Sequence, residues 1–95
     1  MILRLFRFIV ESTRSPGKRS VAVVWVYEND CDVAEIRVRK HLAARGWTIL
    51  ETVLTSIPTP PEIRQLAKFE RSRYRTALSS GIYCSVAPPH EHRSR

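Results

Sequence analysis

The chain has 95 residues, 43% hydrophobic and 26% charged, and its 16 Lys and Arg against 9 Asp and Glu give a formal charge of +7. That length supports one small core and excludes a catalytic cleft between two domains of the same chain. Cys31 and Cys84 stand alone, without CxxC spacing and too few for a disulfide scaffold, which points to a reduced, cytoplasmic setting.

From Ile2 to Glu11 bulky residues occupy both parities, which predicts a strand apolar on both faces, interrupted by Arg4 on one parity and Arg7 on the other. The same two arginines break up what would otherwise resemble a signal sequence, and no apolar run reaches membrane-spanning length, so a soluble protein without membrane contacts is expected. In Ser12 to Ser20 the Pro16-Gly17 pair marks a turn that carries Arg14, Lys18 and Arg19. Val21 to Glu28, β-branched and aromatic nearly throughout, predicts a central strand that pairs with the first as an antiparallel hairpin with a basic tip.

Asp32 with Glu35 three residues on fits a capping box, Asp30 or Asp32 suits the positive end of a helix dipole, and Gly46 supplies the stop. Within that helix Ala34, Val38 and Leu42 form one stripe suited to a sheet, and Val33, Ile36, Ala43 and Ala44 form a second that is left for a partner. Trp47 to Ile57 alternates as a third strand, with Trp47, Ile49 and Val53 on one parity and Thr48, Leu50, Thr52 and Leu54 on the other. Thr59-Pro60-Pro61-Glu62 then opens a helix that runs to Gly81, with Ile63, Leu66, Ala67, Tyr74, Ala77 and Leu78 on its apolar face. Ile82 to Ala87 is a short last strand, and residues 88–95 read as a charged, frayed tail.

The order β-β-α-β-α-β over residues 1–87 predicts a single α/β (α+β) domain, a two-layer sandwich whose four-stranded mixed sheet is covered by two helices. Self-association, most simply as a dimer, is the natural way for so small a core to gain stability.

No motif in the chain names a reaction, and Gly17, Gly46 and Gly81 sit at turns or caps, not in a phosphate loop. The charge is the informative feature, because only Lys18, Lys40 and Lys68 among the bases are lysines. Arginine pairs bidentately with phosphate or carboxylate, although a GC-rich coding sequence would produce the same bias. On a helical wheel Arg64, Lys68, Arg71 and Arg75 line one edge of the second helix without an acid among them, and Arg14, Lys18 and Arg19 form a second cluster at the hairpin tip. Residues 1–20 carry five bases and one acid, 21–60 four bases and five acids, and 61–95 seven bases and three acids, so two basic ends flank a near-neutral middle.

These patterns predict a basic binding module that contacts nucleic acid or another polyanion, such as an acidic protein, through those two clusters. One alternative is a protein-interaction or regulatory subunit that docks through the second stripe of the first helix. Another is a small dimeric enzyme built on Glu70, which falls inside the apolar face, with Tyr74 and His41. Phe69 beside Arg73 is a candidate for stacking on a base. His41 is isolated and His90, Glu91 and His92 lie in the tail, so neither a metal nor a cofactor is expected.

Overall fold

A computed structural model describes residues 2–66 and 68–87, the side chains of 68–70 excepted. Strand β1 (Leu3–Ser12) and strand β2 (Arg19–Tyr27) form the expected hairpin, from Leu3 opposite Tyr27 to Glu11 opposite Arg19. Helix α1 (Cys31–Ala44) leads to β3 (Trp47–Ser56), and two helices, α2 (Pro60–Arg64) and α3 (Lys68–Ser80), lead to β4 (Ile82–Ala87).

The class is α+β, with one four-stranded sheet in the order β3-β1-β2-β4. The sheet is antiparallel throughout, not mixed. The crossover through α1 does return a strand in the direction of β2, but it places that strand beyond β1, so β3 pairs with β1 and no parallel neighbours meet.

The helices do not form one layer. The even-numbered residues Phe6, Phe8 and Val10 of β1 and Ala22, Val24 and Val26 of β2 face α1, whose Ala34, Val38 and Leu42 are fully buried against them. Trp47, Ile49, Ile82, Cys84 and Val86 close the sides of this cluster. The opposite face carries Leu3 and Trp25, on which Ala77 and Tyr74 of α3, Ile63 of α2 and Leu66 of the junction between them pack. The Trp25 and Tyr74 rings meet edge to face, with centroids 6.3 Å apart. Hydrophobic residues of both parities in β1 and β2 permit this arrangement, because each face of a doubly apolar strand needs its own cover. Leu78, expected in the core, is 37% exposed.

The capping chemistry is local and mostly follows expectation. Thr59 caps α2, accepting from the Glu62 N–H, while the Glu62 carboxylate accepts from the Thr59 N–H at 2.7 Å. At α1 the cap is Asp30, whose carboxylate accepts from the Val33 N–H at 2.9 Å, and Glu35 pairs instead with Arg39 at 2.9 Å. The second expected helix is divided at Gln65, where the Gln65 and Leu66 N–H groups turn to the i−3 carbonyls of Glu62 and Ile63 at 3.2 Å each. No glycine or proline marks this break.

Strand β3 departs from simple alternation. Val10 and Ile9 pair with Ile49 and Glu51, and Phe8 and Arg7 pair with Thr52 and Leu54, so Leu50 and Val53 are extra residues at two register shifts. Each shift inverts the parity, and both extra residues are exposed, at 42% and 49%. Bulges of this kind bend an edge strand away from regular pairing with another chain.

Candidate functional site

The hairpin tip is an ordered turn. Gly17 adopts φ +92° and its N–H donates to the Glu11 carboxylate, while Lys18 N–H donates to Ser15 O at 3.1 Å and Ser12 N–H to Lys18 O at 3.3 Å. Glu11, the acid nearest the tip, is thereby engaged in holding the turn. Arg14, Lys18 and Arg19 are all exposed, and among the described residues none of them forms a side-chain ion pair.

A second anchor ties this tip to the far end of α1. Thr13 donates to Gly46 O through its N–H at 2.8 Å and its hydroxyl at 3.1 Å. Gly46, at φ +84°, follows the C-cap residue Arg45, so the hairpin bases share one end of the molecule with Arg45 and the last turn of α1. The carbonyl end of a helix favours cations, which suits Lys40, His41 and Arg45 there. Arg45 lies 3.4 Å from His41 Nδ1, and burial, with Arg45 second, holds the imidazole below its ordinary value. Sequence reasoning missed Arg45 as a member of this cluster. The available signal was Gly46, whose role as a helix stop implies a reversal near the hairpin, but the Thr13 contact spans 33 residues.

The other expected cluster is less continuous than the wheel implies. Arg64 ends α2, and the break at Gln65 separates it from Arg71 and Arg75, which remain one turn apart on α3. Arg71 Nε donates to Leu66 O at 3.0 Å, so this guanidinium fastens the junction between the two helices. Arg64 and Arg75 are exposed, and the Lys68 side chain lies outside the described residues. The side chains of Phe69 and Glu70, Ala67 and residues 88–95 lie outside them too. Arg73, expected beside Phe69, stands with its guanidinium carbon 5.9 Å from the centre of the Tyr83 ring.

Of the groups proposed for an enzyme, the two with described side chains, Tyr74 and His41, do not converge. Tyr74 packs on Trp25 on one face of the sheet, while His41 belongs to α1 on the other. Arg37 pairs with Glu28 at 3.1 Å. Among the described residues no three His, Cys, Asp or Glu side chains gather to hold a metal, and no helix is long and apolar enough to cross a membrane. On the outward face of α1, Val33 and Ile36 are 42% and 52% exposed. Compared with known proteins, the chain matches no family model, no curated protein and no solved structure.

Proposed function

We propose that the protein is a binding module that engages the phosphates of nucleic acid through the end of the sheet formed by Arg14, Lys18, Arg19 and Arg45. The observation that carries this reading is the pair of Thr13 bonds to Gly46 O, which fix a basic hairpin tip beside a helix C-terminus. Exposed arginines on an ordered turn lose less freedom when they meet phosphate than arginines on a loose loop, and the guanidinium fork matches phosphate geometry. The engagement of Glu11 by the turn keeps the nearest carboxylate occupied.

The test is retention of duplex DNA, of RNA and of polyglutamate at low salt by the wild-type protein and by R14E/K18E. Both nucleic acids should be retained, polyglutamate should be released at lower salt, and the charge reversal should abolish retention. Absence of nucleic-acid retention at low salt refutes the proposal, and equal retention of polyglutamate refutes its restriction to nucleic acid.

A further inference from the structure

A cleft of about 340 Å³ opens on the second face of the sheet, between β1, β2 and the α2–α3 junction. Its floor is Leu5, Val23 and Trp25, with Leu54 and Pro58 on one side and Leu66 on the other. Trp25 is buried, so the floor is a packed surface. Two cations reach this apolar space from different elements, Arg7 from β1 and Arg73 from α3. Arg7 is exposed, and its side chain has no hydrogen-bond or ion-pair partner among the described residues. The acid in the lining, Glu62, is engaged at Oε1 by the Thr59 N–H at 2.7 Å and the Thr59 hydroxyl at 3.1 Å. Those bonds hold its carboxyl below the ordinary carboxylate range.

We propose that this cleft binds a small amphipathic carboxylate, an aryl-alkyl or branched alkyl acid whose apolar body lies on Trp25, Val23 and Leu54 and whose carboxylate pairs with Arg7. Binding pockets commonly combine an apolar lining with a few placed polar groups, and this volume falls near the low end of their range of roughly 300 to 1,000 Å³. A ligand of about a dozen non-hydrogen atoms is the matching size. A neutral apolar ligand would leave Arg7 partly desolvated without a partner, whereas a carboxylate satisfies its fork with two charge-assisted hydrogen bonds. Ser56 on the rim offers a hydroxyl to the same headgroup. This site is distinct from the hairpin end, because Arg7 lies four β1 positions before Glu11, roughly 14 Å along the strand.

The experiment titrates isotope-labelled protein with 4-phenylbutyrate and with its neutral amide, following the methyl signals of Leu5, Val23 and Leu54 and the indole of Trp25. The acid should shift these signals saturably and bind about tenfold or more tightly than the amide, the preference expected of a charge-assisted pair. R7Q should bring the acid to the affinity of the amide, R7K should keep part of the preference, and R14Q/K18Q should leave both ligands unaffected. The proposal is overturned by a flat titration to about 10 mM, well beyond the weak affinity expected of so small a ligand. It is equally overturned by equal affinities for acid and amide, or by a preference that survives in R7Q.

Discussion

Neutralising the hairpin tip should change the salt dependence of nucleic-acid binding by a calculable amount. If Arg14, Lys18, Arg19 and Arg45 each neutralise one duplex phosphate, log affinity falls against log salt with a slope of about −3.6. Between 50 and 200 mM salt, a fourfold change, that slope weakens binding about 150-fold. In R14Q/K18Q two contacts remain, the slope becomes about −1.8, and the same change in salt weakens binding only about 12-fold. The matched control is R71Q/R75Q on α3, where Arg71 already donates to Leu66 O at 3.0 Å and so has less freedom to meet a phosphate. Fluorescence anisotropy of a labelled duplex of about 20 base pairs, longer than the contacts counted, reads all three slopes. The altered hairpin side chains are exposed, so their replacement should alter folding stability by no more than about 0.5 kcal/mol. A hairpin variant whose slope parallels wild type, or a helix variant whose slope flattens instead, would refute the assignment of the phosphate contacts to the sheet end.

Three further outcomes concern the frame behind these sites. Arg4 is 8% exposed and donates through Nε to Glu28 O at 3.0 Å and through Nη2 to Asn29 O, so Arg4→Met should lower the unfolding free energy in urea by about 1 to 3 kcal/mol, the loss of charge-assisted bonds set against a gain in apolar burial. An equal or higher stability would mean that burying the guanidinium costs more than its two bonds return. At Gly81, with φ +90°, an added Cβ would meet Arg37 Nη2 at 2.8 Å, whereas at Gly17, φ +92°, it would meet nothing within 4 Å. Because the Arg37 guanidinium is the far end of a flexible side chain and can swing aside, Gly81→Ala and Gly17→Ala should each cost roughly the 1 kcal/mol of a left-handed alanine, and a much larger loss at Gly81 would contradict this. His41 is held below 6.5 chiefly by burial, so the unfolded chain takes up the proton first as pH falls; its contribution is fully present above 6.5 and is lost as pH drops to the folded value. His41→Gln should flatten that part of the stability loss as pH falls through and below 6.5, and an unchanged slope would show that the imidazole titrates alike in both states.

What could be read from the chain was what depends on neighbours a few residues apart. The Thr59 and Glu62 cap, the Ala34, Val38 and Leu42 stripe and the glycine stops need no knowledge of the rest of the fold. The position of β3 was not legible, because a crossover through α1 is compatible with a slot beside β2 or beyond β1, and the choice changes the sheet from mixed to antiparallel. Nor were the bulges, since Leu50 and Val53 are ordinary strand residues displaced by the pairing of β3 with β1. The basic end was half visible: Arg14, Lys18 and Arg19 cluster in sequence, but Arg45 joins them only through a contact across 33 residues.

Arg4 and Arg7 bring the same limit into one strand. They are three residues apart on opposite parities, and both interrupt an apolar run, so sequence treats them alike. Arg4 shares the parity of Phe6 and Phe8, under α1, and reaches two backbone carbonyls at the turn that starts that helix. Arg7 shares the parity of Leu5 and Trp25's face, where α2 and α3 cover part of the sheet and a cleft remains. The difference between a structural guanidinium and one open to a ligand is therefore set by which helix lands on which face. A periodicity of two can say that the faces differ, and only the packing decides which one is left open.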